Sequence, residues 1–287
     1  MSEENVTQNS QSKSEGFGTQ FESFQVYTIL DKLMWKSIQI CFLLIAFQVH
    51  SQNVTLYGVA PSYSQMGRIS GKWSYNLNAT SAINMMGQTV ENKHFPAGHT
   101  HFVIQAMSLY QLNKKWSLGG GYAFGRHNIF GLRENENRLI AQASHQHKLG
   151  NFIITLRGRY EWRQPINLQT NIRSNASIGR YQFWVTYPLY DVSKTKKGFF
   201  LTASNEAFLY FKGATNGPVS SRNGSLLSEN WMHLGGGYNA GKTRAELGYC
   251  FQALIRNKIQ DYRLFNLLQI NIYHTINWDD VQYWWYM

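Results

Sequence analysis

Charged side chains are scarce in this chain. Asp, Glu, Lys and Arg together make up 15% of its 287 residues, whereas they form about a quarter of a typical soluble domain. Aromatic residues are correspondingly frequent, with 17 Tyr, 17 Phe and 9 Trp. Few charges and many aromatic rings favour a protein whose surface faces something other than bulk water.

Long apolar runs are also missing from residues 52–287, where no stretch approaches the ~20 apolar residues that a membrane-spanning helix needs. The mean hydropathy of −0.37 likewise argues against a helical membrane protein. Alternating β-strands reconcile this polar average with the low charge, because polar residues on one face offset apolar residues on the other.

Cysteine is nearly absent. The chain has two, Cys41 and Cys250, and Cys41 lies in a segment that we expect to be removed. One remaining thiol excludes an intrachain disulfide and a cysteine metal cluster.

The net charge is +11, and a basic balance often points to nucleic acid. Here the Lys and Arg residues are scattered singly along the alternating segments, without a dense tract. We therefore expect no nucleic-acid partner.

The N-terminal part predicts secretion. Residues 1–33 are polar and are interpreted as disordered or as an over-extended start, so that either Met1 or Met34 begins the protein. Residues 34–51 have the pattern of a signal peptide, with Lys36 before a short apolar run and Gln52 as the new N-terminus. That run, residues 40–47, is too short for a transmembrane anchor.

A hairpin-like unit recurs along residues 52–287. A tight polar turn ends one alternating segment, and an aromatic or aliphatic residue begins the next, at intervals of 36 to 47 residues in most of the chain. The five turns are Ser70-Gly71-Lys72-Trp73, Asn113-Lys114-Lys115-Trp116, Leu149-Gly150-Asn151-Phe152, Lys196-Lys197-Gly198-Phe199 and Ala240-Gly241-Lys242-Thr243.

Apolar and polar residues alternate between these turns. In residues 152–163, Phe152, Leu156 and Trp162 fall on one face of a predicted strand, and Arg157 and Glu161 fall on the other. The segments run for about 12 to 16 residues, which exceeds the ~5–6 of ordinary strands and suffices for the ~9–11 tilted residues that cross a bilayer.

These patterns predict an all-β fold, an antiparallel transmembrane up-and-down β-barrel formed by residues 52–287. Five short turns join ten strands, and residues 262–278 add an eleventh. Because bacterial single-chain barrels normally have an even number of strands, we expect about twelve, with ten as the alternative. A soluble lipocalin-like barrel or β-sandwich would show the same alternation with its apolar face inward.

The residues that directly follow short turns predict an aromatic belt at the periplasmic side of the membrane, where amphipathic rings are favoured. These residues are Trp73, Trp116, Phe152 and Phe199. Longer loops are expected on the opposite side, at residues 86–99, 126–136, 164–174, 212–228 and 256–261.

The hairpins resemble those of the DUF2490 family, uncharacterised barrel-like proteins of Bacteroidetes and their relatives. The resemblance is carried by residues 109–122, which read LYQLNKKWSLGGGY, and by His147-Lys148-Leu149-Gly150-Asn151-Phe152 with Arg157-Gly158-Arg159-Tyr160. It covers about residues 52–278. The resemblance implies an outer-membrane location and brings no known activity with it.

Charged residues on the polar strand faces predict a network inside the barrel, which fills a narrow lumen or, in a wider one, favours anions. The residues are Arg157, Arg159, Glu161, Arg163, Arg180, Glu206, Arg244, Glu246 and Arg256.

Catalytic and metal motifs are weak in this sequence. Ser144 and His145 are adjacent on a strand and therefore point to opposite faces, so they cannot form a nucleophile–base pair. The pairs His99/His101 and His145/His147 lack a third ligand positioned by sequence. Gly119-Gly120-Gly121 lacks the Lys and the strand–helix context of a phosphate loop. We expect no enzyme, no cofactor and no metal.

The sequence therefore predicts a bacterial outer-membrane barrel that is structural, binds a ligand or forms a narrow anion-favouring pore. An outer-membrane lipid hydrolase and a soluble periplasmic binder are the alternatives. The expected partners are outer-membrane lipid and the barrel-assembly machinery, which reads a C-terminal aromatic residue; Trp278 fits that spacing, although nine residues follow it. The ligand, the oligomeric state and the openness of the pore are not fixed by the sequence.

Overall fold

The computed structural model describes residues 54–90, 93–129, 132–213, 226–255 and 262–278. The predicted N-terminal segments 1–33 and 34–51 lie outside these residues, as does Arg256 of the predicted network. All of the described residues belong to one compact unit, Ser51–Met287. No helix among them has the length and the hydropathy to cross a membrane.

Strands account for most of the described chain, as the period-two alternation predicts. Their bounds are β1 (Val54–Ser70), β2 (Trp73–Asn84), β3 (Gln88–Val90), β4 (Lys93–Phe95), β5 (Gly98–Gln111), β6 (Trp116–Ile129), β7 (Leu132–Leu149), β8 (Phe152–Asn167), β9 (Ala176–Pro188), β10 (Lys197–Lys212), β11 (Leu227–Ala240), β12 (Thr243–Ile255) and β13 (Tyr262–Thr275). β3 and β4 form a small separate hairpin, and the other strands close into one barrel.

The predicted all-β barrel is thus confirmed, with eleven wall strands in the described residues rather than the expected twelve or ten. Neighbouring strands from β5 to β13 pair antiparallel, and β2 joins β5 to β1. Closure is made by β1 and β13, which pair parallel from Val54 opposite Arg263 to Met66 opposite Thr275. An odd number of wall strands requires one such parallel pair, because both closing strands then run toward the same rim.

Tight connections gather at one end of the barrel, here called the short-turn rim. The turns at residues 71–72, 112–115, 150–151 and 241–242 are where the sequence placed them. The turn predicted at residues 196–199 was wrong, because β9 ends at Pro188 and the connection to β10 occupies residues 189–196.

One of the predicted loops is largely strand, and a second begins in one. Residues 126–136 belong mostly to β6 and β7, apart from residues 130–131, which lie outside the described residues. Residues 164–174 overlap β8, which extends to Asn167. Residues 126–136 were taken for a loop because they are polar, but His127, Glu134 and Glu136 occupy alternate positions on the interior face and are buried.

The apolar face of the wall points outward. Tyr160 and Tyr249 are about half exposed, whereas Glu161 and Arg163, on the alternate positions, are 0% and 2% exposed. A soluble barrel would bury the apolar face and expose the charges. The observed arrangement is the reverse, because the outer face carries exposed aromatic and aliphatic side chains on nearly every strand.

Close packing inside the wall explains one of the glycine runs. A Cβ atom added at Gly237 would lie 2.7 Å from Cζ of Phe200, a buried ring on the neighbouring strand β10. Within the run Gly235-Gly236-Gly237, Gly237 therefore makes room for an interior side chain, as glycines in strands commonly do.

Candidate functional site

Glu161 of β8 lies at the centre of an ionic cluster inside the barrel. It is fully buried and accepts hydrogen bonds from Nε of Arg163 at 2.7 Å and from Nη1 of Arg180 at 2.8 Å. Arg159 and Arg138 approach the same carboxylate at 3.5 and 3.9 Å. A buried carboxylate needs such compensation, since its isolated charge would be costly to desolvate.

Glu206 of β10 extends the cluster around the wall. The guanidinium of Arg180 binds it through two hydrogen bonds, Nε to Oε1 at 3.0 Å and Nη2 to Oε2 at 2.9 Å. Arg157 donates to the same Oε1 atom at 3.2 Å. Arg180 therefore bridges Glu161 and Glu206, and its guanidinium also stacks on Phe208, 4.3 Å from the ring centroid.

Glu136 of β7 extends the cluster in the other direction. Arg138 donates to its Oε2 atom at 2.7 Å, and Nε2 of His127 lies 3.0 Å from that same oxygen. His127 in turn contacts His101 of β5, with 3.2 Å between the two Nδ1 atoms.

Arg159 has two amide partners besides Glu161, since it donates to Oε1 of Gln142 at 2.8 Å and to Oε1 of Gln105 at 3.0 Å. The joined cluster contains three carboxylates and five guanidinium groups. These are Glu136, Glu161, Glu206, Arg138, Arg157, Arg159, Arg163 and Arg180. It therefore carries a surplus of two positive charges.

A second group lies nearer the short-turn rim, around Arg244 and Glu246 of β12. Nη2 of Arg244 donates to Oε2 of Glu246 at 2.8 Å, and Nδ2 of Asn271 donates to Oε1 at 3.0 Å. The Arg244 guanidinium lies over three aromatic rings, with centroid distances of 3.8 Å to Phe200, 5.3 Å to Tyr273 and 5.7 Å to Trp184.

The structure places the predicted charged residues in these two groups. Arg157, Arg159, Glu161, Arg163, Arg180 and Glu206 meet in the first cluster, and Arg244 and Glu246 form the core of the second. Sequence reasoning missed Glu136, Arg138 and His127. The signal was available, because Glu134, Glu136 and Arg138 alternate in step with Ile140 and Gln142 of the same strand.

A cavity of about 850 Å³ lies inside the barrel beside both groups, from Lys242 at the β11–β12 turn to Leu254 on β12. Eight basic residues and three acidic ones line it. The basic residues are Arg68, Arg138, Arg157, Arg159, Arg163, Arg180, Lys242 and Arg244, and the acidic ones are Glu206, Glu229 and Glu246. The wall formed by β1 and β2 contributes uncharged polar residues, including Ser62, Ser64, Asn76, Asn78 and Thr80.

An apolar cluster lies inside the barrel at the end opposite the short-turn rim. It joins β1, β2, β12 and β13 through buried residues that include Leu254 and Phe265, and Ile129 of β6 packs against it from another part of the wall. Ile129, Leu254 and Phe265 also line the cavity. The cavity is therefore polar in its middle and bounded by apolar side chains at this end.

The aromatic residues predicted for a belt lie at the short-turn rim with their side chains exposed. Each contacts a ring on the next strand: the pairs are Trp73 with Tyr110, Trp116 with His145, Phe152 with Tyr187, and Phe199 with Tyr238, at centroid distances of 4.6 to 5.0 Å. These cross-strand pairs stabilise the hairpins.

The residues considered for catalysis and metal binding are dispersed. Ser144 shares a hydrogen bond with Ser117, 2.7 Å apart, whereas His145 contacts Trp116 on the outer face. Ser81 and His99 are 2.8 Å apart, but neither has a carboxylate hydrogen-bond partner within the described part of the chain. Among the described residues, no three His, Cys, Asp or Glu side chains are placed together so that they could hold a metal ion.

Two solved membrane-protein structures resemble this chain in fold. No curated protein matches the chain significantly. The NanC porin, solved in a rhombohedral crystal form, is 13% identical, with 76% of this chain and 99% of that chain covered and a TM-score of 0.41. OmpT, an outer membrane protein of Vibrio cholerae solved as a trimer, is 8% identical, with 68% and 59% covered and a TM-score of 0.32.

The sequence profile of the family described as "Protein of unknown function (DUF2490)" matches residues 61–263. This stretch takes in β2 to β12 and both ionic groups on β7–β10 and β12. The chain therefore belongs to the DUF2490 family.

Proposed function

We propose that this protein is a bacterial outer-membrane β-barrel with a narrow, anion-favouring pore. Exposed apolar side chains on its outer face, such as Leu234 and Leu247, would contact lipid. The predicted signal peptide at residues 34–51 would direct export, and the barrel-assembly machinery would insert the folded wall. The aromatic pairs at the short-turn rim would lie at the periplasmic interface.

The dimensions of the wall support the membrane part of the proposal. Phe152 at the short-turn rim and Trp162 are exposed residues on the outer face of β8, ten positions apart. At about 3.3 Å per residue and a strand tilt near 40°, they are roughly 25 Å apart along the barrel axis. An outer-membrane barrel has an apolar band of about 25 Å between its aromatic girdles.

The charge of the cavity is the observation that carries the pore proposal. Eight basic and three acidic residues line the space, and rings of Arg and Lys favour anions in pores. Seven of the eight basic residues lie on strands of the wall and Lys242 lies on a turn, so most of the positive charge is held in a fixed position along the cavity. The apolar cluster around Phe265 and Ile129 would keep the pore narrow at one end.

Single-channel recording tests this function. The refolded protein, checked by heat-modifiable migration on gels, is added to a planar lipid bilayer between unequal concentrations of KCl. We expect small unitary conductance steps and a reversal potential on the side of chloride selectivity. If the protein inserts without conducting, the proposal that it forms a pore is wrong. If the reversal potential shows potassium selectivity, the proposed preference for anions is wrong.

A further inference from the structure

We propose that Arg157 and Arg244 form an oxyanion-binding subsite in this pore, which takes the carboxylate or phosphate group of a small polar solute. The inference rests on the proposed function and names the chemistry that the pore selects. It depends on which arginines in the cavity have hydrogen-bonding capacity left after the internal ion pairs are made.

The accessibility of the guanidinium groups separates these two residues from the rest. The side chains of Arg157 and Arg244 are 24% and 25% exposed, whereas those of Arg138, Arg159, Arg163 and Arg180 are 10% or less. All six line the same cavity. Only the first two therefore present a substantial part of the guanidinium to a solute.

Arg157 combines this accessibility with an unsatisfied donor. Its hydrogen bond to Glu206 is 3.2 Å long, and Glu206 is already bound at both oxygens by Arg180. Nε of Arg157 is buried and has no hydrogen-bond partner among the described residues. Its charge is thus part of the positive surplus of the first cluster.

Arg244 has the same character in the second group. It donates from Nη2 to Glu246, which also accepts a hydrogen bond from Asn271, and within the described residues its buried Nε has no partner. The rings of Phe200 and Tyr273 lie close to its guanidinium and restrict its movement. Such fixation reduces the side-chain entropy that binding an anion would cost.

The two arginines lie on the same part of the interior. Thr155 of β8 is paired with Trp184 of β9. Arg157 lies two positions after Thr155 and is therefore the next residue of β8 that faces the interior. Cross-strand neighbours displaced by two residues are about 7–8 Å apart. Trp184 in turn lies under Arg244, and its ring is 6.4 Å from that of Tyr273.

The geometry of guanidinium defines the ligand class. A planar fork of N–H donors matches two oxygens of a carboxylate or phosphate, whereas chloride offers a single point of contact. A second arginine strengthens the preference, because it donates to the same anionic group from another direction. The subsite should therefore bind oxyanions more tightly than chloride.

Current block by added oxyanions tests the subsite. Chloride current through the inserted protein is titrated with inorganic phosphate in one series and with gluconate in another. We expect both to reduce the current, and the stronger blocker indicates which headgroup the site prefers. Arg157→Gln and Arg244→Gln should each raise the half-blocking concentration about ten- to hundredfold, as expected for loss of one charge-assisted hydrogen bond.

Arg68→Gln is the matched control, since it removes one positive charge from the cavity lining at a residue that is not part of the proposed subsite. It should change the half-blocking concentration much less than the subsite variants do. Equal effects of all three substitutions, or no effect of Arg157→Gln and Arg244→Gln, would overturn the subsite while leaving the pore intact.

Calorimetric titration of the detergent-solubilised barrel with phosphate separates this inference from the pore. Binding that is weakened by Arg244→Gln would support the subsite even if no channel current were observed. Absence of heat from both phosphate and gluconate with a heat-modifiable, folded wild-type barrel would refute it.

Discussion

Arg163 binds Glu161 through two nitrogens, with Nε at 2.7 Å and Nη2 at 2.6 Å from the same carboxylate oxygen, although both residues belong to one strand and lie two positions apart. The pair is nearly inaccessible to water. Arg180 of β9 binds the other oxygen of Glu161 and also binds Glu206 of β10. Glu161 and Glu206 therefore link the charged residues of β8, β9 and β10 inside the barrel.

Glu161→Gln should strongly destabilise the barrel. The substitution would leave the buried Arg163 without its main counter-charge, and removal of one partner from a buried ion pair costs about 3–5 kcal/mol. Urea titration of the folded band on gels measures the loss. Glu134→Gln is the control, because Glu134 is equally buried but its Oε2 atom has no hydrogen-bond partner among the described residues. An equal loss of stability in both variants would contradict the role of Glu161 as the main counter-charge of Arg163.

The apolar cluster at the end of the cavity should limit the conductance. Ile129→Ser and Phe265→Ser would replace large apolar side chains with small polar ones. The passage would then be wider and easier to hydrate. We expect larger unitary conductance in both variants. Leu268→Ser, which changes an exposed residue on the outer face of β13, should leave the conductance unchanged. Constriction variants with wild-type conductance would show that the narrowest point lies elsewhere.

Membrane depth should govern the cost of placing a charge on the outer face. Leu234 is the middle of β11 and is 67% exposed, so Leu234→Arg should cost about 2–4 kcal/mol in lipid, whereas a rim position should cost roughly 0–1 kcal/mol. Leu226 precedes β11 and provides the rim control as Leu226→Arg. Folding titrations in phospholipid vesicles compare the two. Similar costs at both positions would argue against a lipid-facing wall.

Alternation with a period of two was sufficient to predict the strands of the barrel wall, four of the tight turns and the charged residues of β8, although neither the number of wall strands nor the β3–β4 hairpin was predicted. The same rule, applied without interruption, would have found Glu136 and Arg138. Glu136 was assigned to the loop at residues 126–136 because charged residues before a long strand resemble a solvated connection, and Arg138 was left out of the predicted network. Polarity alone does not separate a loop from an interior strand face, and only the register with β6 and β8 does so.

Other features depend on contacts between distant parts of the chain and leave little trace in the sequence. The parallel pairing of β1 with β13 joins residues more than two hundred positions apart, and the even-number rule pointed away from it. The stacking of Arg244 on Phe200 and Tyr273 likewise needs three strands to be placed. Arg244 was predicted to face the interior, but its aromatic partners were not.

The packing at Gly237 links wall stability to the proposed subsite and gives a final prediction. A Cβ atom at this position would clash with the carbonyl oxygen of Ala245 and lie 2.7 Å from the ring of Phe200. Gly237→Ala should therefore destabilise the barrel by about 1–3 kcal/mol through overpacking. Because Phe200 holds the Arg244 guanidinium, the same substitution should also weaken phosphate block in molecules that still fold.

Gly158→Ala is the matched control, because no atom lies within 4 Å of the Cβ that would be added there. It should be neutral or stabilise the strand by roughly 0.5–1 kcal/mol, since alanine loses less backbone entropy than glycine on folding. Urea midpoints and phosphate titrations of the two variants are compared in parallel. If Gly237→Ala folds with wild-type stability and wild-type block, Phe200 has room to move, and the aromatic rings do not hold Arg244 in place.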